Sequence, residues 1–190
     1  MNTVENVSAA APAVGGAISV APTGTALPTS ATAELAAAFK SLGYVSEDGV
    51  KNNNTPSSDV VKAWGGDEVL RQTANKEDTF QYTLIEIMNI DVLKEVYGSD
   101  NVSGTLATGI TIKANDDEME AHVVVIDMIL RNGALKRVVI PRATVTAVGE
   151  ITYSETGAVG YQTTIKAAKD SSGNRHYEYI IAAPSDDSDD

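Results

Sequence analysis

A change of periodicity in the middle of the chain constrains the fold more than any other feature. Residues 79–87 are rich in β-branched and aromatic side chains, and Phe80, Tyr82 and Leu84 fall on one side of an extended chain. This pattern predicts a strand with both faces at least half buried. The period then becomes helical, which predicts one short packed helix at about residues 90–97 in a protein otherwise built from strands.

The predicted helix and the segment before the strand carry clear local signals. One side of the helix bears Ile90, Leu93, Lys94 and Tyr97, with Glu95 elsewhere, and Gly98 is a stop signal. Upstream, residues 60–64 and 69–73 flank Gly65-Gly66-Asp67. Because glycine-rich turns between β-like runs favour hairpins, we expect a hairpin whose tip carries Trp64, the chain's one tryptophan.

Several short segments follow one another in a recognisable order. They are YVSEDG at 44–49, VKAWGGD at 61–67, FQYTLIE at 80–86, LKEVYG at 93–98 and DNV at 100–102. In this order the chain resembles the major tail protein, or tail tube protein, of long-tailed, non-contractile bacteriophages, particularly those of actinobacteria. The resemblance extends from about residue 16 to residue 177, and it rests on order and spacing rather than on a chemical signature.

The resemblance implies an architecture and a set of partners. The fold would be a β-sandwich or barrel-like tail tube fold, and the subunits would form hexameric rings that stack into a hollow tube, the conduit for genome ejection. The implied partners are other copies of the chain, the tape measure protein, the tail terminator and tip proteins, and DNA in transit without specific binding. The protein would reside in the virion tail and assemble in the host cytoplasm.

Composition excludes several other classes of function. At 190 residues and 19.9 kDa, the chain suits one domain with terminal extensions. It has no cysteine, so disulfide frames and thiolate metal sites are excluded. A net charge of −12 argues against non-specific nucleic-acid binding and against anionic membrane surfaces. No apolar run reaches bilayer length and the first basic residue is Lys40, so we expect neither a membrane span nor a signal peptide.

The chain divides by composition into three parts. Residues 1–31 are dominated by Ala, Gly, Pro, Thr and Ser, which predicts an extended N-terminal arm, either a flexible tail or an arm that orders on neighbouring subunits. Within it, the β-like run at 17–21 supplies Ile18 and Val20 as candidate inter-subunit contacts. Residues 32–183 are the predicted β-sandwich domain, and residues 184–190 are a disordered acidic tail.

Local patterns predict the remaining elements, about eight to ten strands in two layers. These are a short helix at 32–40, a turn at 47–49, a loop at 52–58, a half-buried strand at 105–113, a hairpin of 119–130 with 135–153 around Asn132-Gly133, and a last hairpin of 161–169 with 176–182. Pro141 lies inside a predicted strand. Because proline cannot donate a ladder hydrogen bond, it predicts a sheet edge or a bulge there.

No constellation predicts an enzyme, a cofactor or a metal site. The acidic run Asp116, Asp117, Glu118 and Glu120 lacks the spacing and glycine of an EF-hand, and it is more typical of a solvated turn. His122 and His176 have no metal-ligand spacing, which favours packed or exposed strand residues. Asp127 lies in an apolar strand, where a carboxylate must be paired, protonated or facing water; a solvent or interface position is favoured.

Three hypotheses from different classes follow. The first is a self-assembling structural protein, in which Trp64, Gly65 and Gly66 join Ile18 and Val20 as inter-subunit contacts. The second is a ligand-binding β-sandwich, carbohydrate-binding or adhesin-like, that stacks a sugar on Trp64. The third is a metal-assisted hydrolase built on the acidic turn, which lacks histidines, cysteines and paired motifs. We interpret the chain as the first, a structural virion protein and not an enzyme.

The conduit role carries a prediction about charge. Each phosphate neutralised by Lys or Arg adds affinity through counterion release, so a basic channel would hold DNA rather than pass it. We therefore expect acidic side chains from the long strands to face the lumen without matched Lys or Arg. The candidates are Glu86, Asp127 and Glu150.

Overall fold

The computed structural model describes residues 3–13, 16–56, 58–73 and 76–183. Across these residues the chain is mainly β, with one α-helix, α1 (Ile90–Tyr97), and two short 3-10 helices, Val4–Asn6 and Ser99–Asn101. The strands are β1 (Ala10–Pro12), β2 (Ile18–Pro22), β3 (Lys40–Ser41), β4 (Lys51–Thr55), β5 (Ser58–Lys62), β6 (Glu68–Thr73), β7 (Glu77–Leu84), β8 (Val102–Thr105), β9 (Gly109–Ile112), β10 (His122–Leu130), β11 (Leu135–Val148), β12 (Tyr161–Ala167) and β13 (Tyr177–Ile181).

One large antiparallel sheet organises the chain. Its path is β3-β2-β10-β11-β12-β7-β4, with β1 also paired to β10 and β13 also paired to β11. Two hairpins, β5-β6 and β8-β9, form separate two-stranded sheets. The mainly β fold with one packed helix is thus confirmed, and the antiparallel sheets are consistent with a β-sandwich-like fold.

The long strand β11 is shared among three neighbours. β10 pairs with residues 135–143 of β11, while β13 and β12 pair in succession with residues 135–139 and 143–148. A register shift between His122 and Val124 leaves Pro141 at a bulge, where no ladder donor is needed. The predicted bulge at Pro141 is therefore confirmed, and it lets one strand serve successive partners.

The core lies between the sheet and α1. On β7 the side chains alternate as predicted, with Phe80, Tyr82 and Leu84 buried and their neighbours half-exposed. The helix begins where the Asn89 side chain accepts a hydrogen bond from the Asp91 amide at 3.0 Å, and it ends at Gly98, whose φ is 90°. The predicted helix is thus confirmed at both ends.

The buried side of α1 differs from the predicted one. The buried residues are Val92, Leu93, Glu95 and Val96, whereas Ile90, Lys94 and Tyr97 are only partly covered. Sequence reasoning placed the charged Glu95 off the packed side. It is buried because it finds hydrogen-bonding partners inside the protein.

The predicted N-terminal arm is not separate from the domain. β1 and β2 both pair with β10, and the Ile18 side chain is fully buried in the core. A boundary at residue 31 therefore corresponds to no structural boundary in the described residues. Composition missed this because a short apolar run in a low-complexity segment suffices for one sheet strand. The predicted acidic tail at 184–190 lies outside the described residues.

Four further predictions of local structure were wrong. Residues 32–39 form turns and irregular segments rather than a helix, and residue 40 begins β3. Alanine-rich spacing over so few residues does not nucleate a helix. Residues 52–55 of the predicted loop at 52–58 belong to β4, which pairs with β7. The predicted single strand at 105–113 contains the last residue of β8, a turn and β9, which pairs with β8 in a hairpin. β12 and β13 pair with β11 instead of forming a hairpin with each other.

None of the helices in the described part of the chain combines the length and the apolarity needed to cross a bilayer.

Candidate assembly surface

The β5-β6 hairpin stands as its own two-stranded sheet, and its tip is closed by backbone hydrogen bonds. The Ala63 amide donates to the Asp67 carbonyl at 2.8 Å, and the Gly66 amide donates to the Ala63 carbonyl at 3.0 Å. Gly65 and Gly66 have φ values of 145° and 99°, a region that side chains disfavour. The predicted hairpin is confirmed, and its two glycines shape the turn that presents Trp64.

The hairpin exposes an unusual amount of apolar surface. Trp64 is completely exposed, and Val61, Val69 and Leu70 are at least half exposed. We call these four residues the hairpin patch. Val61 and Leu70 are cross-strand partners on one face of the hairpin, whereas Val69, next to Leu70 along β6, points to the other face. Exposed apolar side chains grouped on one hairpin are typical of a surface that binds another molecule, and a tryptophan at a tip is a frequent anchor of protein interfaces.

The other two predicted contact residues lie elsewhere. The Ile18 side chain has no exposed surface, so it contacts its own core rather than a neighbour and does not enter the candidate surface. Val20, on the same strand, is half-buried and lines a cavity of about 410 Å³ beside α1. The structure therefore does not bring Ile18 or Val20 together with the hairpin patch.

The large sheet has an edge strand at each end of its path. β4 and β3 end the path of the large sheet, and all five residues of β4 are exposed. An edge strand presents unpaired N–H and C=O groups to a neighbouring strand. The polar sequence of β4, KNNNT, keeps this edge compatible with water in a free subunit.

The three predicted lumen acids have different surroundings. Glu86 accepts hydrogen bonds from the Tyr44 amide at 2.9 Å and from Asn89 Nδ2 at 3.1 Å. Its carboxylate is therefore engaged in contacts within the subunit. Asp127 pairs with Arg137 at 2.6 Å, which contradicts the expectation that it lacks a matched Arg. Glu150 is exposed and follows β11. Of the three, only Glu150 offers an exposed carboxylate.

A buried polar cluster joins α1 to β10 and β7. The hydroxyl of Tyr82 donates to Glu95 Oε1 at 3.1 Å, and His122 Nε2 lies 3.1 Å from the same oxygen. Burial alone would lower the pKa of His122, but the hydrogen bond and charge of Glu95 outweigh it and raise this pKa. Burial, with the nearby Glu95 charge, raises the pKa of Tyr82 well above its usual value.

A second histidine–carboxylate pair lies near the start of β7. His176 Nδ1 is 2.6 Å from Asp78 Oδ2, and Asn52 Nδ2 donates to Asp78 Oδ1 at 2.9 Å. The Phe80 ring meets the His176 ring edge-on at 5.3 Å. Sequence reasoning predicted packed or exposed histidines and missed both pairs, because the partners are distant along the chain and follow no motif.

Each of these pairs joins one histidine to one carboxylate. Within the described ranges, no group of three or more His, Asp or Glu residues is placed to hold a metal ion. The acidic turn is exposed, with Asp117 and Asn115 hydrogen-bonded to each other. Trp64, on which the sugar-stacking hypothesis depends, does not line the cavity beside α1.

Comparison with known proteins gives one family match. The model of a family described as phage tail tube protein matches residues 3–188, nearly the whole chain. No curated protein matches it.

Proposed function

Because the chain belongs to the phage tail tube protein family, we propose that its copies form hexameric rings that stack into the tail tube, the conduit for genome ejection. Membership makes the protein a structural component of the virion tail and favours a structural over an enzymatic role. The ring number, the stacking and the passage of DNA are the proposal.

The observation that carries the proposal is the exposed hairpin patch. A tryptophan buries about 150–250 Å² when covered, which at about 25 cal/mol per Å² corresponds to about 4–6 kcal/mol before association costs. A free subunit gains nothing from a completely exposed Trp64. In contact with a stacked or adjacent subunit, Trp64 would become a buried anchor, and Val61, Val69 and Leu70 on the same hairpin offer further apolar surface.

The open edges support lateral contacts within a ring. Strand β4 has an unpaired edge, and strand addition supplies main-chain hydrogen bonds between chains. Closing a ring removes such edges, as closing a barrel does. We propose that β4 lies against a neighbouring subunit and that the hairpin patch reaches a second one.

The proposed lumen follows from electrostatics. A channel that passes DNA should not offer clustered cations to phosphates, and the net charge of −12 per subunit is compatible with that. Since Glu86 and Asp127 are engaged within the subunit, we narrow the proposed lumen-facing acids to Glu150. Assembly in the host cytoplasm, and contacts with tape measure, terminator and tip proteins, complete the proposal.

Sedimentation velocity over a rising concentration series tests self-assembly directly. We expect a monomer near 19.9 kDa at low concentration and discrete large species at high concentration. A single monomeric species across the range would contradict the proposal.

A further inference from the structure

A groove with cationic side chains lies where β11 and β12 meet the chain that follows β12. Its volume is about 360 Å³, and its lining residues are Thr144, Thr146, Lys166, Ala168, Lys169 and Arg175. We call it the basic groove. None of these lining residues bears a carboxylate, in a chain whose net charge is −12. The groove is therefore a local exception to the charge of the molecule.

The sheet supplies one wall of the groove. Thr144 of β11 lies opposite Lys166 of β12. Side chains alternate between the two faces along a strand, and the residues next to these two are buried in the core, namely Ala143, Val145, Ile165 and Ala167. Thr144 and Lys166 therefore project from the outer face of the sheet, where a dissolved ion can reach them.

A closed turn at residues 170–174 supplies a second wall. The Asp170 amide donates to the Asn174 carbonyl at 2.8 Å. Asp170 Oδ1 accepts hydrogen bonds from the Ser172 and Asn174 amides, both at 2.9 Å, and Oδ2 accepts one from the Tyr177 hydroxyl at 2.6 Å. Both oxygens of this carboxylate are thus used locally, and the turn that they stabilise is flanked by two cations of the groove.

The cations of the groove differ in how they are held. Arg175 Nη1 donates to the Ala167 carbonyl at 2.8 Å, which fixes the guanidinium in place. Lys166 pairs with Glu77 at 2.9 Å. Among the described residues, neither the other N–H groups of Arg175 nor the Lys169 ammonium has a partner. Three cations and the one paired carboxylate leave a net charge of +2 at the groove.

The donors of the groove indicate the class of ion that it fits. Guanidinium and ammonium groups only donate hydrogen bonds, a hydroxyl can donate one, and a net charge of +2 matches a dianion. A phosphate dianion has enough oxygen atoms to meet Arg175, Lys169 and the Thr144 hydroxyl together. A carboxylate has two oxygens and one negative charge, and each phosphodiester of DNA also carries one charge, so both match the groove less well.

We propose that the basic groove binds a free phosphate dianion, as inorganic phosphate or as the phosphate of a small monoester. Arg175 binds two of its oxygens through Nε and Nη2, the edge of the guanidinium that Ala167 does not occupy. Lys169 and Thr144 donate to the other oxygens. The ion joins β11 to the turn that precedes β13, so its binding stabilises the folded subunit. This inference concerns the single subunit and goes beyond the proposed tube.

Thermal melting of the monomer in rising phosphate, at constant ionic strength, tests the site. A ligand that binds only the folded state raises the melting temperature as its concentration rises. Phosphate also stabilises proteins through its exclusion from their surface, and every variant shares that part. We expect the wild type to show an additional, saturable rise. A wild type without the saturable rise would overturn the inference.

Two variants and a matched control locate the binding. We expect K169Q to weaken the phosphate affinity about tenfold, and T144V, which removes the hydroxyl at nearly constant volume, to weaken it about threefold. K113Q, at an exposed lysine outside the groove, should bind phosphate like the wild type. Equal effects of K169Q and K113Q would show that the ion is attracted to the surface in general and would overturn the inference.

Other ligands identify the source of the phosphate. Inorganic phosphate and glycerol 3-phosphate both carry the dianion, and saturable binding of either supports the inference, the tighter one being the better model of the ligand. A single-stranded DNA oligonucleotide at the same phosphate concentration should bind more weakly than both. Tighter binding of the oligonucleotide would make the groove a nucleic-acid contact and would overturn the inference.

These measurements separate the inference from the proposed function. They use the monomer, so a missing phosphate site leaves the proposed tube untouched. Conversely, a protein that forms no rings or tubes can still bind phosphate in the groove.

Discussion

Asp127 and Arg137 face each other in register across β10 and β11, with Arg137 Nε 2.6 Å and Nη2 3.0 Å from the two carboxylate oxygens. Arg137 Nη1 also donates to the carbonyls of Ser30 and Ala33. One guanidinium thus ties the N-terminal segment to the central strands. This explains why Asp127 lies in an apolar strand: it is paired, one of the three states that burial of a carboxylate allows.

The first prediction concerns this pair. R137A removes a cation whose side chain is only 8% exposed and leaves the Asp127 charge and two carbonyls without their partner, so we expect a loss of about 3–5 kcal/mol in the free energy of unfolding. Urea denaturation measures it. The control is R131A, at an exposed arginine in the turn between β10 and β11. It should change the free energy of unfolding by about 0.5 kcal/mol or less. Equal effects of the two variants would contradict the structural role of the pair.

The second prediction concerns pH and His122. Glu95 holds the pKa of His122 above its usual value of 6.5, so the folded state binds this proton more tightly than the unfolded state. The resulting stability is fully present below pH 6.5 and is lost as pH rises through the folded pKa.

Comparing wild type with H122Q isolates this contribution. The difference in unfolding free energy should be largest near pH 5.5 and should shrink toward pH 8. A difference that grows with pH would contradict the ion pair between His122 and Glu95.

The third prediction concerns the hairpin patch. W64A removes the exposed anchor while leaving the core untouched, so we expect assembly to weaken by about 2 kcal/mol per contact, about 30-fold in concentration. The circular-dichroism spectrum and melting of the monomer should be unchanged. Y153A, at another exposed aromatic residue, is the matched control. A collapse of monomer stability in W64A would show that Trp64 belongs to the core.

The fourth prediction concerns the N-terminal segment. Residues 1–9 precede β1, and their removal should leave a folded monomer. Removal of residues 1–31 deletes β1 and β2 together with the buried Ile18, so we expect it to unfold the protein. The composition of this segment alone predicts a folded truncation. If the protein lacking residues 1–31 still melts like the wild type, the segment is a separate arm, as its composition predicts.

The parts of the fold that could be predicted are those specified by short stretches of sequence. Helix α1 has its cap at Asn89 and its stop at Gly98, and the hairpin has Gly65-Gly66 at its tip, so each is encoded within a few residues. The strand β4 could not be predicted because its polar residues owe their conformation to pairing with β7. Likewise, only the partners of Glu95, 13 residues before and 27 residues after it, explain its burial.

The residues of the candidate surface were likewise predictable only where the local sequence defines them. Trp64 and its turn were predictable because exposed tips are defined locally. Ile18 was misjudged as a contact, since nothing in its own segment shows that β10 covers it. The cavity lined by Thr144, Lys166 and Arg175 gathers residues from β11, β12 and the following loop, a juxtaposition that only the fold creates.

Negative-stain electron microscopy of the purified wild-type protein over a concentration series shows whether the subunits form a tube. We expect rings with a central hole, and at higher concentration hollow tubes of uniform width built from stacked rings. Featureless particles of monomer size at every concentration would contradict it.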